Sequence, residues 1–454
     1  MSLFFAGSSC KKFLKVDPPS SQVTTEVVFQ DDLTATAAMT GIYNSFMTQA
    51  NPFINGAPGS ITALTGLSAD ELHHHDLNPA YMQVEENALT ADNDAILKIW
   101  QSMYNCLYQA NSVIEGLQSS TSLTRPVKKQ LMGEALFVRA YVNFYLVNLF
   151  GDIPLSLNTD YTANAVLPRT STTIVYASIV DDLRLAQDSL IDAYPSAGKV
   201  RPNKMTATAL LSRVYLYTKE WAKAETEATK LLTSSSYKLE INLNRVFLAH
   251  TTSNTNTEAI WQLMPLTPNT ANYNTYEGYY FALTAGGLYN KLRSDFITAF
   301  EPNDQRRVNW IGTVNSVYFP NKYKVRQNAT ITEYKMMFRL GEQFLIRAEA
   351  RANQNKLTGP NSAASDIDSI RIRAGLPVTT ATDQPSLLAA IEQERRVELF
   401  TEDGQRWFDL KRWNRATAVL SSIKTGWTSN DMLYPLPEIE LNRNPYLRPQ
   451  NTGY

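Results

Sequence analysis

The chain has 454 residues, with 42 Lys plus Arg against 43 Asp plus Glu, a net charge of −1, and 44% hydrophobic to 19% charged residues. That balance excludes a general polyanion binder, which carries a basic excess, and a disordered chain, which is poorer in apolar residues. Two cysteines exclude a disulfide framework, and a chain of this length buries enough surface to fold without metals or cross-links.

The amino terminus opens with a short apolar run, Leu3-Phe4-Phe5, then the small residues Ala6-Gly7-Ser8-Ser9 before Cys10. It reads as the tail end of a signal peptide. The small residues before Cys10 resemble a bacterial lipoprotein cleavage site, which makes Cys10 the expected lipidation site. Gly7 departs from that pattern, because a large aliphatic residue is more usual there. Residues 1–25 are read as this leader remnant and a polar tether containing Pro18-Pro19. No run reaches the roughly 18 apolar residues of a membrane span. The best candidate, residues 135–150, is broken by Arg139, Asn143 and Asn148.

Residues 26–454 are expected to form one domain. A first helix is expected over 31–49, with Asp31 and Asp32 at its positive end. Apolar residues recur at helical spacing over 92–118, from Ile96 through Trp100 and Leu107 to Ile114. Arg125-Pro126 opens a helix running to Phe150 that is apolar nearly all round, and so belongs inside a bundle. Another helix is expected over 172–193. In 204–232, Leu211, Ser212 and Tyr215 followed by Trp221, Ala224 and Ala228 resemble a tetratricopeptide repeat, a helix pair that must stack on neighbours. Residues 338–354 and 362–374 form a similar pair, and 385–400 is the last long helix. The helical repeats thus cover about 31–232 and 338–413. Between them, 238–334 is rich in Asn, Thr, Tyr and Gly, with a strand expected over 259–264. A loop-rich stretch of this length usually carries function.

Five stretches in order resemble the SusD/RagB family of outer-membrane nutrient-binding lipoproteins. They are Cys10-Lys11-Lys12-Phe13-Leu14 with Val16-Asp17-Pro18-Pro19, and Gly133-Glu134-Ala135-Leu136-Phe137-Val138-Arg139-Ala140-Tyr141 ending in Gly151-Asp152-Ile153-Pro154. Leu345-Ile346-Arg347-Ala348-Glu349-Ala350 with Arg373-Ala374-Gly375-Leu376-Pro377 follows. Then come Glu394-Arg395-Arg396-Val397-Glu398-Leu399 with Gly404-Gln405-Arg406-Trp407-Phe408-Asp409-Leu410-Lys411-Arg412-Trp413, and finally Pro435-Leu436-Pro437 with Asn444-Pro445. The resemblance implies a mainly α fold. Its expected form is a tetratricopeptide-like scaffold of about four helix pairs with long irregular loops and a few short strands. It also implies an outer-membrane lipoprotein facing the cell exterior, with a SusC-like TonB-dependent transporter as partner. Lys11 and Lys12 depart from the acidic residues often linked to surface export.

The carboxy-terminal motif reads as structural. Glu392 and Arg396 are spaced for a helical ion pair. Arg406, Asp409, Lys411 and Arg412 beside Trp407 and Trp413 read as a network pinning the end of the chain to the bundle. No phosphate-cradling loop, dinucleotide fingerprint, nucleophile elbow or zinc-protease motif occurs, so no cofactor and no nucleic acid are expected. His73-His74-His75 is read as a solvated loop, because adjacent side chains diverge. Nothing singles out a pair of acids with glycosidase spacing, so no enzyme activity is expected.

What remains is binding chemistry. Aromatic rings cover the apolar faces of sugars, while Asn, Gln, Asp and Arg reach neighbouring hydroxyls. Three loops have that mixture: 51–83, 269–289 and 309–323. The first offers Asp70, the His run, Asn78 and Tyr81; the second Asn272, Tyr273, Asn274, Tyr276, Tyr279, Tyr280 and Tyr289, with Gly278, Gly286 and Gly287 for close approach. The third offers Trp310, Asn315, Tyr318 and Asn321. The candidate ligand contacts are Asp70, Tyr81, Tyr273, Tyr276, Tyr279, Tyr280, Trp310 and Tyr318. Trp100, Trp221, Trp407 and Trp413 are assigned to the core. Oligosaccharide capture is the leading reading; peptide capture, and a structural lid without its own ligand, stay open.

Overall fold

The computed structural model describes residues 25–74, 78–266, 273–281 and 290–454. Cys10 and the tether, His75, Asn272, Tyr289, Gly286 and Gly287 lie outside them. Twelve helices of eight residues or more are numbered here: α1 (Asp32–Phe46), α2 (Ile61–Ser68), α3 (Pro79–Glu86), α4 (Asp94–Ser119), α5 (Arg125–Phe150), α6 (Thr172–Ser189), α7 (Lys204–Tyr217), α8 (Trp221–Leu232), α9 (Leu340–Ala352), α10 (Ala363–Arg373), α11 (Gln384–Glu398) and α12 (Gln405–Arg412). Local chemistry sets their starts. The Asp31 carboxylate accepts from the Leu33 and Thr34 N–H groups, and Asn93 caps α4 in the same way. Ser362 and Ser365 form a reciprocal capping box on α10.

From α4 to α11 each helix packs on the next, so the fold is mainly α. α5 is buried on almost every side. Six short strands pair antiparallel: β1 (Leu72–His74) with β3 (Asn290–Leu292), β2 (Ala259–Leu263) with β6 (Lys335–Arg339), and β4 (Ile311–Val314) with β5 (Val317–Pro320). The expected helix over 338–354 starts later, at Leu340, because Phe338 belongs to β6. Trp261 of β2 meets Phe137 at 5.1 Å and Tyr141 at 5.6 Å, ring centre to centre, which fastens the loop-rich segment onto α5. The β4–β5 turn holds Asn315 at φ 49° and Ser316 at φ 63°, the two left-handed residues of a tight hairpin.

The second fastening is ionic and buried. Glu398 faces three guanidinium groups: Arg339 at 2.5 Å, Arg306 at 3.1 Å, and Arg373. Arg306 also binds Asp304 and Glu394, and Arg339 binds Glu258 and Glu402. Lys322 donates to Glu402 and to the Glu398 and Phe400 carbonyls. Asp304, Arg306, Lys322 and Arg339 come from the loop-rich segment and its last strand; their partners Glu394 and Glu398 lie on α11. The loops are thus bolted to the helical array.

The carboxy-terminal network forms as expected. Asp409 takes Arg395 at 2.6 Å and Arg412 at 2.8 Å, Arg412 also reaches Glu349, and the Lys411 ammonium donates to the Asn148 carbonyl. The expected Glu392–Arg396 pair does not. Arg396 is drawn to Asp70 at 2.8 Å, and Glu392 to Arg415 at 3.3 Å. Tertiary partners win over the local one because Asp70 is buried and needs cations. No helix among the described residues is long and apolar enough to cross a membrane.

Candidate functional site

The three loops nominated by composition converge. β1 carries His73 and His74 from the first and pairs with β3, which follows the second; β3 lies beside β5 of the third. The His run is therefore strand at His73 and His74, not loop. Its two described rings alternate: His73 engages Glu85, and buried His74 meets Asn290 at 2.9 Å and the Tyr81 ring at 4.9 Å. Against this seam lies a cavity of about 330 Å³, walled by His73, Lys291, Arg293, Asp295, Val317 and Tyr318. Arg293 and Asp295 hold each other at 2.9 Å on the rim, presenting donors and acceptors together.

The eight candidates divide sharply. Tyr318 is half-buried and lines this cavity. Tyr81, Tyr279 and Tyr280 are half-buried nearby in the same set of elements. Trp310 is not a surface platform. It is 0% exposed, its indole N–H donates to the Leu243 carbonyl at 3.0 Å, and Lys322 sits over its ring. Tyr276 is 2% exposed, on the inner face of a short helix, Tyr276–Phe281, and Tyr273, three residues before it, is 9% exposed; the Tyr273 hydroxyl donates to that of Tyr276. Arg326 covers one face of Tyr279 at 4.4 Å. Asp70 is 3% exposed with both oxygens committed to Arg406 and one also to Arg396. Burial raises its pKa, but the two guanidinium groups outweigh it and leave the carboxyl below its ordinary value. These four side chains are buried and engaged within the fold, and of them Asp70 also borders a cavity.

Two supporting residues change role as well. Asn274 spends its side chain on the Thr332 and Glu333 N–H groups and the Asn328 and Thr330 carbonyls. Gly278 allows close approach, but of the chain itself: a Cβ there would meet the Val325 carbonyl at 2.7 Å. The tyrosine helix is anchored from below by Glu277, which pairs with Lys335 and through it Asp403. Gly56 clears the way for that carboxylate. It sits at φ 88°, and a Cβ would meet Glu277 at 2.1 Å.

Two further cavities lie in succession, each sharing lining residues with the one before. One of about 460 Å³ shares Asp295 with the first and adds Asp70, Glu392, Arg396, Arg406 and Arg415. Another of about 690 Å³ shares Ala389, Glu392 and Arg415 with the second, and is walled by Trp221, Trp413 and Tyr217. Trp100 and Trp407 are in the core as expected, but Trp221 and Trp413 are half-buried on this wall. Sequence reasoning missed them, and missed Lys291, Arg293 and Asp295. The ordinary residue types of that last group carry no signal until β1 and β3 pair.

Comparison with known proteins agrees with this architecture. Residues 12–216 match a SusD-like family described as starch-binding and associating with the outer membrane, and residues 275–454 match the SusD family. SusD-like protein P25 of Formosa agariphila is 25% identical over 100% of this chain and 98% of its own length. A SusD superfamily protein of Bacteroides vulgatus superposes with a TM-score of 0.80 at 21% identity, covering 94% of this chain and 100% of that one. A laminarin-binding SusD-like protein superposes with a TM-score of 0.76 at 20% identity, covering 94% and 100%. In motif order, helical architecture and matched extent alike, the chain belongs to the SusD family.

Proposed function

We propose that this protein captures oligosaccharide without cleaving it and hands it to a SusC-like TonB-dependent transporter in the outer membrane. The observation that carries the reading is the cavity at the β1–β3–β5 seam. The Tyr318 ring offers a flat apolar face, and Arg293, Asp295, His73 and Lys291 offer paired donors and acceptors around it. That is the chemistry of a sugar, with its C–H face and rim of hydroxyls. A SusD-like relative of this fold is described as laminarin-binding, which is consistent with it.

Calorimetric titration against a panel of soluble glycans that includes laminarin tests this. Stacking is worth about 0.5–1.5 kcal/mol beyond area burial, so Tyr318→Ala should weaken binding roughly threefold to tenfold. Tyr318 is only half-buried at the edge of the core, so the melting temperature should move little. The reading is lost if no glycan binds, if an oligopeptide binds instead, or if shorter sugars accumulate in proportion to protein.

Cys10 is proposed as the anchor to the membrane. Stable attachment takes more than one acyl chain, which lipoprotein processing supplies. Cys10→Ala should move the protein in its host from the membrane pellet to the soluble fraction. A variant that still pellets with outer membranes refutes the lipid anchor.

A further inference from the structure

Three cavities follow one another through shared lining residues, Asp295 between the first two and Ala389, Glu392 and Arg415 between the last two, with aromatic side chains in the outer cavities and charges in the middle one. Tyr318 stands at one end, and Trp221, Trp413 and Tyr217 at the other. Between them the cavities run beside α11, whose stretch from Pro385 to Arg396 spans roughly 16 Å at 1.5 Å per residue. The Trp413 end is built rather than incidental. The indole N–H of Trp413 donates to Glu349 at 2.8 Å, and the Arg412 guanidinium lies 4.3 Å from its ring. Glu349 is itself only 1% exposed and is held by Arg412. The ring is thus locked in place before any ligand arrives, which lowers the ordering cost of stacking. Trp221 begins α8, directly after the turn in which Lys219 adopts φ 59°.

The carboxylates on this wall are paired, and Lys219 adds a further cation. Glu349 faces Arg412, and Glu392 faces Arg415 and, at 3.6 Å, Arg406. A wall whose carboxylates are already paired does not call for a cationic ligand. It offers rings and polar groups to a neutral polyhydroxylated one.

We propose that the Trp221–Trp413 cavity is a second glycan subsite, which holds the far part of a neutral oligosaccharide whose near part lies at Tyr318. The ligand class rests on the function proposed above; the location does not.

Fluorine NMR on the full chain separates the two. One sample carries fluorotryptophan, with the seven resonances assigned by single Trp→Phe variants; a second carries fluorotyrosine, with Tyr318 assigned likewise. The probes are maltohexaose, cellohexaose, laminarihexaose, xylohexaose and mannohexaose, with a mixed oligopeptide library as counter-probe. At least one hexasaccharide should shift Trp221 and Trp413 while leaving buried Trp261 and Trp310 unmoved. Its affinity should fall roughly threefold to tenfold in Trp221→Ala and recover in Trp221→Tyr. If Tyr318 shifts with a hexasaccharide and the two tryptophans do not, the second subsite is wrong and the first reading stands. If the tryptophans shift and Tyr318 does not, one oligosaccharide spanning both ends is refuted and the seam is not the site. If only peptides shift the tryptophans, or nothing does, the subsite is refuted.

Discussion

Glu398→Gln should lower the stability of this protein by about 3–5 kcal/mol, the range for breaking a buried ion pair from one side. Glu398 is fully buried and is the common partner of Arg306, Arg339 and Arg373. Neutralising it leaves three guanidinium groups competing for Glu258, Glu394, Glu402 and Asp304, with no water to make up the loss. Burial would raise the Glu398 pKa, but the guanidinium groups of Arg373, Arg339 and Arg306 hold it far below the carboxylate range. A depressed folded value means that the contribution is present above the unfolded value, about 4.3. It is lost as pH falls from there toward the folded value. Urea midpoints of wild type and variant should therefore differ most near neutral pH and converge below about pH 4. A difference under about 1 kcal/mol at neutral pH, the level of a surface ion pair, would show that the network is not what secures the loops. Because Arg306 and Lys322 flank the β4–β5 hairpin in sequence, glycan affinity should fall together with stability. Tyr318→Ala should lower affinity alone.

The sequence carries the helices well and the site poorly, for a physical reason. A helix announces itself every three to four residues, and capping residues such as Asp31 and Ser362 mark its start locally. Those signals placed α5 to the residue and split 204–232 into its two helices. The seam is different. Its wall joins residue 73 to residues 291–295 and 317–318, and no local pattern says that these strands pair. Composition drew attention to all three loops but could not say which ring faces out. Trp310 turned inward because its N–H found the Leu243 carbonyl and its faces found Phe247 and the buried cations. Trp221 and Trp413 failed in the opposite sense. Their helical settings suggested core, but they sit where α8, α9 and α11 leave a gap, and a gap has no periodicity. The Asn315-Ser316 turn was legible only in part, since Asn accepts a left-handed conformation readily and Ser does not.

Glu71→Gln should abolish a fall in stability between about pH 4 and pH 8, at about 1.4 kcal/mol per pH unit, and so change the protein's response to pH. Glu71 sits beside Asp70 and immediately before β1. Its carbonyl accepts the Arg293 N–H at 3.0 Å, and its carboxyl accepts the Thr401 N–H at 3.2 Å. The other carboxyl oxygen is buried with no hydrogen-bond partner. Burial pushes its pKa up to about 8, against the pull of the Thr401 N–H and with the repulsion of Asp70. A raised folded value for an acid has the opposite sign from Glu398. The unfolded chain gives up this proton near pH 4.3, whereas the folded protein keeps it until about pH 8. The native state thus binds the extra proton over that window, and stability falls as pH rises through it. Glutamine keeps the shape of the neutral acid and has no proton to lose, so it removes the slope. Chemical denaturation of wild type and Glu71→Gln between pH 5 and pH 8 should show stabilities that are close at the acid end and widen toward pH 8. Parallel curves would mean that Glu71 is ionised throughout and is paired by a cation such as Arg406 or Lys322. Because the Glu71 backbone holds the Arg293 end of β3, the same pH rise should loosen the seam wall. Glycan affinity should then decline toward pH 8 in the wild type and stay level in the variant.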